Sequence, residues 1–454
     1  MKRTLIVVLT SAYIAVLLWA YATIISPAFI YDGYFCNWPN AFEMAWLVAI
    51  CLIPILFLPI KLTRPSGLIV WWLYATVFIP STLLPKLSLS LGLAKLLPLE
   101  LTLLGCMAFL SAVSSGRVLA VPRLAVNPKI FWPVLLGVWT ACLLFVCSHF
   151  NFATLFANLA SLFLGGSEYT IRNGFLEELS QTGRILGYTT GQVGEALNPF
   201  FIAYGLVYRR WLFLILGVFG QLMIFAVLGA KSILFSTVFL VLVYVMTQRF
   251  RANFGLALSG LLILVVLASA GLDLRSGNIF ASSITSRRTL MDPGLLTGFY
   301  FEHYSQVSHA GIGYHFGSKG AAVPAPSYEI GLVYFGDEHI DANANLWAEG
   351  FADFGLPGTI GFTVLLAGMM WIYDSIAARH NSTWAILLVA MQAFALSNSP
   401  PMTVLLTHGG LASAFLLWSA PTAESQDVTF GEEETELSFL HGTSQEILQE
   451  GRAG

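Results

Sequence analysis

The sequence predicts an all-α polytopic integral membrane protein that crosses a lipid bilayer about twelve times. Hydrophobic residues make up 57% of the 454 residues and charged residues only 10%, whereas soluble domains carry roughly a quarter charged residues. Apolar runs of about 17 to 22 residues recur, a length that suits a helix crossing a hydrocarbon core of roughly 30 Å. The alternating ten-residue pattern of a membrane barrel is absent from the sequence. These observations exclude a soluble fold.

The predicted spans are distributed along the chain up to residue 418. The first, residues 5–25, is too long for the core of a signal peptide and is followed by no small-residue cleavage site, so we expect it to stay uncleaved. The others are 41–60, 67–84, 97–113, 131–149, 186–207, 211–228, 232–246, 254–272, 354–373, 384–397 and 402–418. Residues 1–418 are therefore predicted to form one transmembrane domain. Residues 419–454, with eight acids and one arginine, are predicted to be a disordered cytoplasmic tail.

The distribution of lysine and arginine predicts the orientation in the membrane. If the N-terminus is cytoplasmic, twelve of the 22 basic residues fall in short cytoplasmic segments, whereas the first outer loop, residues 26–40, contains none. The twelve are Lys2, Arg3, Lys61, Arg64, Arg117, Arg123, Lys129, Arg209, Arg210, Arg249, Arg251 and Arg379. We therefore expect both termini in the cytoplasm and external segments at about 151–184 and 273–345.

The long external segment 273–345 is where we expect a functional site. It holds four of the eight histidines, four basic residues and seven acids. Its aromatic residues favour packing against the helix bundle, and a merely solvated loop is the alternative. His303 and His309 in this segment, and Glu349 just after it, are candidate acid–base residues.

A polar stretch inside a predicted span is the second signal. Residues 189–199 contain Glu195 and Pro199, so this half-span should face a cavity or other helices rather than lipid. Pro199 should also leave backbone groups that need new hydrogen-bond partners. Glu195 is therefore a further candidate for acid–base chemistry.

Five basic residues at or near the predicted outer face are candidate ligands of a pyrophosphate. Arginine binds phosphate oxygens with two parallel donors, and lysine adds a point charge. The five are Arg172, Arg184, Lys231, Arg287 and Arg288. Contact with ordinary lipid headgroups is the alternative, and for Lys231 a role as an interfacial anchor is equally open.

Several common chemistries have no motif in the sequence. Walker A, His-Glu-x-x-His, Gly-x-Ser-x-Gly and Cys-x-x-Cys patterns are absent, and the five cysteines show no metal-ligand spacing. No basic tract suggests a nucleic-acid partner. We therefore expect no metal site, no cofactor and no nucleic acid.

Four stretches carry a family resemblance. Residues 226–234 place small residues and Lys231 at an outer turn before an apolar span, and residues 286–304 include both Arg287 and Arg288. The others are 343–358 and 407–410. Together they resemble the Wzy-type oligosaccharide repeat-unit polymerases, relatives of the O-antigen ligases. These polymerases usually have arginine where this chain has Lys231.

The resemblance implies a GT-C-like membrane glycosyltransferase that uses no nucleotide sugar, metal or cofactor. The growing glycan would leave its polyprenyl pyrophosphate carrier and pass to a carrier-linked repeat unit, on the periplasmic face of a bacterial cytoplasmic membrane. The resemblance also implies glycan contacts at Tyr300, Tyr304, Asn343 and Asn345. The implied partners are a polyprenyl-pyrophosphate-linked oligosaccharide, the lipid bilayer and a chain-length regulator.

Three other functions are compatible with the sequence. An O-antigen-type ligase would use the same donor with a different acceptor. A lipid-linked oligosaccharide transporter or flippase would also have many spans and proline-broken helices, although the sequence shows no two comparable halves. A passive structural subunit would leave the polar segment 273–345 unexplained.

Overall fold

The computed structural model describes residues 2–89, 91–119, 121–122, 124, 126–164, 168–313 and 325–421. All regular secondary structure in these ranges is helical, in agreement with the predicted fold class. The predicted tail from residue 422 onward lies outside the described residues, as do His315, Lys319 and the side chain of Lys231.

The helices are numbered here in chain order. They are α1 Lys2–Ala28, α2 Ala41–Leu56, α3 Pro65–Leu89, α4 Leu93–Ser115, α5 Pro128–Ser148, α6 Phe152–Leu164, α7 Glu168–Thr182, α8 184–208, α9 Trp211–Leu228, α10 Lys231–Arg249, α11 Phe254–Ser276, α12 283–304, α13 Pro326–Phe335, α14 Leu346–Ala377, α15 Ser382–Leu388, α16 Ala390–Ala395, α17 Pro401–Leu406 and α18 Gly410–Ser419.

Eight helices in the described part of the chain are long and apolar enough to cross a membrane. They are α1, α3, α4, α5, α9, α10, α11 and α14, and each overlaps a predicted span. The other four predicted spans do not form single long apolar helices. The helix α2, in the span 41–60, is shorter, and α8, in the span 186–207, is polar in its first half. The last two spans are divided into the short helices α15 to α18. The chain is thus a multi-pass membrane protein, and the count of about twelve spans stays a prediction.

Hydrogen bonds between distant loops define one end of the bundle. Arg3 donates to the carbonyl of Ile55 at 2.9 Å, and Arg251 donates to the Ser382 hydroxyl at 2.7 Å. Arg64 donates at 2.7 Å to the carbonyl of Gly116, the residue that follows α4. All three arginines belong to the predicted cytoplasmic loops, so the fold gathers these loops at one end of the molecule. We call it the basic end.

The opposite end is covered by the loop after α1 and by α12, which belongs to the predicted external segment. α12 packs against α3 and α14, and its Phe299 and Tyr300 are only 2% and 0% exposed. Burial of these aromatic rings removes apolar surface from solvent and attaches the helix to the bundle. The segment is therefore part of the packed structure, while its placement outside the cell stays a prediction.

Prolines set four local distortions of the helices. Wide π-helical turns interrupt α1, α3, α8 and α12. Each turn ends two residues before a proline, namely Pro27, Pro80, Pro199 and Pro293. A proline has no N–H, and its ring collides with the carbonyl four residues earlier, so a wider turn relieves the collision. The turns Val193–Leu197 and Ser283–Met291 carry the candidates Glu195, Arg287 and Arg288.

Candidate functional site

Arg287 lies at the end of the bundle opposite the basic end, where α12 meets the loop after α1. Its guanidinium carbon is 4.2 Å from the centre of the Phe29 ring, and its Nη1 is 3.3 Å from Oδ2 of Asp32. This N–O distance exceeds the roughly 2.7–2.9 Å of a strong charge-assisted hydrogen bond. The buried Nε has no hydrogen-bond partner among the described residues. Arg287 therefore retains donors for an anion, and the adjacent Arg288 is exposed.

Two carboxyl groups accompany Arg287. The Tyr34 hydroxyl donates a hydrogen bond to Oδ1 of Asp292. Burial raises the pKa of the Asp292 carboxyl, and Arg287, the hydrogen bond from Tyr34 and Arg288 oppose part of this shift. Burial also raises the pKa of Asp32, against the opposing effect of Arg287. Burial thus disfavours the ionised form of both carboxyl groups beside the guanidinium.

A cavity of about 500 Å³ opens beside this cluster. Tyr31 and Gly33, the neighbours of Asp32 in the chain, both line the cavity. The lining residues are Tyr31, Gly33, Phe35, Asn37, Ser88, Leu89, Phe299, Glu302 and Tyr334. The rings of Phe299 and Tyr334 stack with their centres 4.1 Å apart. The Tyr334 hydroxyl donates to Oε2 of Glu302 at 2.9 Å. Aromatic walls with one carboxylate suit a ligand that has both apolar faces and hydroxyl groups.

His303 does not line this cavity and contacts Glu329 of α13. Its Nε2 lies 2.8 Å from Oε1 of Glu329, and the hydroxyl of Tyr304 donates to the other oxygen of the same carboxylate at 2.8 Å. The pKa of the Tyr304 phenol is raised by its burial and then by the carboxylates of Glu329, Glu349 and Asp353. His303 and Tyr304 thus lie in an acidic cluster between α12, α13 and α14.

Tyr300 and Asn345 are buried at 0% exposure each. The Tyr300 hydroxyl donates to Oε1 of Glu349 at 3.2 Å. Asn345 caps α14, because its Oδ1 accepts a hydrogen bond from the Trp347 N–H at 3.0 Å, and its amide donates to α12. Both side chains therefore position α12 and α14 and have no surface for a glycan. Asn343 is exposed.

His309 lies beside a break in α14. Gly355 has φ +65°, and Pro357 cannot donate a hydrogen bond to the carbonyl of Asp353. The Gly311 N–H bonds to that carbonyl instead, at 3.2 Å. A side chain at Gly355 would approach Nε2 of His309 to 3.0 Å. The exposed His309 therefore belongs to a loop fixed on the broken helix.

Glu195 is paired with a histidine that the site prediction did not include. Nδ1 of His408 lies 2.9 Å from each carboxylate oxygen of Glu195, and Nε2 lies 3.2 Å from the Ser399 hydroxyl. The π turn that carries Glu195 packs against α9, α16 and α18. The structure thus brings Glu195 to the last helices of the chain and places Arg287 against the loop after α1.

The other predicted pyrophosphate ligands lie on different helices. Arg172 on α7 is exposed. The Asp341 carboxylate is the chief cause of the raised pKa of Tyr328, and the positive charge of Arg172 opposes this rise. Arg184 is exposed at the start of α8, and Lys231 starts α10. Of the four arginines predicted to bind pyrophosphate, Arg287 and Arg288 are therefore the two that lie on the same helix.

Asp32 and Tyr34 were not among the predicted site residues, and Asp292 and Glu302 were predicted only as two of the seven acids in the segment 273–345. Glu302 had one local signal, because it lies three residues after Phe299 and so shares a helix face with it. Asp32 and Tyr34 had none, since they precede their partners on α12 by more than 250 residues. Within the described ranges, no group of three or more His, Cys, Asp or Glu side chains is placed to hold a metal ion.

Comparison of the chain with protein-family models, with curated proteins and with solved structures finds no match in any of the three.

Proposed function

We propose that the protein polymerises glycan repeat units carried on polyprenyl pyrophosphate, at the outer face of the cytoplasmic membrane. The observation that carries the proposal is Arg287, whose buried Nε has no hydrogen-bond partner in the described part of the chain, beside an aromatic cavity that contains Glu302. This site lies at the opposite end from the gathered basic loops, and the positive-inside rule assigns those loops to the cytoplasm.

The pyrophosphate end of the donor would bind at Arg287 and Arg288. As the glycosidic bond to the carrier breaks, negative charge develops on the departing pyrophosphate. A guanidinium that is already positioned by Phe29 and Asp32 stabilises that charge without rearranging. Arg288, exposed beside it, contributes a second positive charge.

The acceptor sugar would occupy the aromatic cavity. A sugar ring presents C–H faces to aromatic walls such as Tyr31 and Phe35, and its hydroxyl groups reach the Glu302 carboxylate. Glu302 would take the proton of the acceptor hydroxyl while the hydroxyl oxygen bonds to the anomeric carbon. His303, the next residue, is held by Glu329 and does not line the cavity, so Glu302 is the base in this proposal.

Glycan length at the cell surface tests this proposal. Cells that lack the protein should display single repeat units if it is the polymerase, and the full chain should restore long polymer. Unlinked polymer in its absence would indicate a ligase instead, and loss of all outer glycan would indicate a flippase. Either result would contradict polymerisation.

A flippase is the second candidate because of the last helices. α15 to α18 are short, and the breaks between them lie inside the bundle, where Gln392 is 0% exposed. Irregular backbone at membrane depth occurs where it is buried in protein or lines a water-filled cavity, and many transporters contain such broken helices.

A further inference from the structure

Ser399, His408 and Glu195 form a line of three hydrogen-bonding side chains. Nδ1 of His408 must carry a proton to bond the Glu195 carboxylate at 2.9 Å. In the neutral ring, Nε2 is then an acceptor, and it faces the Ser399 hydroxyl at 3.2 Å. Nucleophile, base and orienting acid have this same order in serine hydrolases.

The backbone around the three residues holds this geometry. Pro199 lacks the N–H that the Glu195 carbonyl would accept in a regular helix. Gln392, which is 0% exposed, supplies the missing donor: its Nε2 bonds the carbonyls of Glu195 at 3.1 Å and of His408 at 3.0 Å. One buried amide thus fixes the acid and the base relative to each other.

Glycines let the loop that carries His408 lie directly on α8. A side chain at Gly191 would come within 2.3 Å of the Thr407 carbonyl oxygen. Gly409 has φ +74°, and a side chain there would come within 2.7 Å of the Ala196 side chain. These contacts leave the loop little freedom, which suits a catalytic base that must hold its direction.

The location of the three residues indicates a lipid substrate. Glu195 precedes the last residue of α8 at the basic end by 13 positions, about 20 Å of helix, so it lies in the far half of a hydrocarbon core of roughly 30 Å. Leu406 and Tyr188, close to the site, are 47% and 43% exposed and would face lipid. The His408 side chain is itself 26% exposed.

We propose that Ser399, His408 and Glu195 form a second catalytic centre, which hydrolyses an acyl ester of a bilayer lipid. The Ser399 oxygen bonds to the ester carbonyl carbon, and its proton passes to Nε2 of His408. The ester C–O bond then breaks, and the departing alcohol takes that proton. Water releases the acyl group by the same route, so ester and water give acid and alcohol. This centre does not depend on the proposed glycosyl transfer.

We expect the donors for the developing oxyanion to come from the start of α18. α18 begins at Gly410, two residues after His408, and the first N–H groups of a helix have no partner within it. They lie on the positive end of the helix dipole, which favours a developing negative charge.

Covalent labelling with a long-chain alkyl fluorophosphonate tests the second centre. This probe bonds to serines that a neighbouring base activates and releases fluoride. In the purified full-length protein we expect the label on the peptide that contains Ser399, located by mass spectrometry. Ser399→Ala should abolish it, and His408→Gln and Glu195→Gln should slow labelling about 100-fold or more.

Ser397→Ala is the matched control, because Ser397 lies in the same break but bonds to the Trp72 indole at 2.9 Å; it should label at the wild-type rate. If the His408 variant does not fold, the pH dependence of labelling in the wild type is the test. The labelling rate should fall at acid pH, where the imidazole gains a proton. No label at Ser399 in folded protein, or an unchanged rate in folded His408→Gln, would overturn the proposal.

Discussion

At the scale of single residues, the donors of Arg287 decide what the site can bind. Among the described residues, its guanidinium contacts one ring and, through Nη1 at 3.3 Å, one carboxylate, which leaves other donors for phosphate oxygens. Arg287→Lys keeps the positive charge and loses the fork, so we expect polymer length to fall by about 10-fold or more while expression is unchanged. Cell-surface glycan profiles measure this.

Arg275→Lys serves as the control for the Arg287 variant. Arg275 is an exposed arginine near the end of α11 on the same predicted face. It should keep polymer of full length. Full-length polymer in Arg287→Lys as well would remove Arg287 from the proposed donor site.

The charge balance around Arg287 also predicts a pH dependence of stability. Burial raises the pKa of Asp292, so its stabilising effect is present at low pH and is lost as the pH rises through the raised pKa. Arg287→Gln removes an opposing charge and raises that pKa further. We expect the melting temperature of the variant to fall increasingly below that of the wild type between about pH 4 and about pH 7.

Thermal melts of four proteins across this range check the pH dependence. When Asp292→Asn is the parent, Arg287→Gln should cause a smaller divergence from that parent, because the titrating group is gone and the contribution of Asp32 alone remains. Parallel melting curves for the wild type and Arg287→Gln would contradict the electrostatic interpretation.

At the scale of helices and loops, the site is built from one loop that lies along α12. The loop contacts α12 at Arg287, at Asp292 and at Phe299. The last contact requires a glycine, since Gly33 has φ +84° and a side chain there would reach to 2.6 Å from the Phe299 ring. Backbone conformation and close approach therefore act together at this position.

Gly33→Ala should lower both the melting temperature and polymer length. The left-handed conformation costs alanine about 1–2 kcal/mol of stability. The collision of the added methyl group with Phe299 increases this cost, and the methyl group narrows the cavity. Gly277→Ala isolates the cost of the left-handed conformation, because Gly277 has φ +67° and no atom of the described residues lies within 4 Å of an added side chain. Equal melting temperatures for the two variants would show that the Phe299 contact is unimportant.

The prolines illustrate what can be anticipated for an element. The sequence indicates that Pro199 disturbs its helix and frees backbone groups, and the structure places a π turn there. The sequence does not indicate that Gln392, nearly 200 residues later, donates to the freed carbonyl of Glu195. Backbone disturbance is local to the chain, whereas its partner depends on how the helices pack.

At the scale of the whole molecule, the two ends of the bundle make the predicted orientation testable. In a background with Cys36→Ser, a cysteine introduced at Ser276 should react with an impermeant maleimide on intact cells, because α11 ends there opposite the basic end. A cysteine at Thr63, exposed beside Arg64 at the basic end, should react only after the cells are opened. The reverse pattern would contradict the predicted orientation.

The sequence by itself determined the helical membrane class, eight of the roughly twelve spans that it predicts, and the basic loops that the fold gathers at one end. These follow from apolar length, helical period and charge, which are properties of neighbouring residues. Only the tertiary structure joined Arg287 to Asp32, 255 residues away, and His408 to Glu195, 213 residues away. Within a membrane all faces of a helix can be apolar, so periodicity gives little information about which faces meet. Packing of small residues and pairing of buried polar groups make that choice.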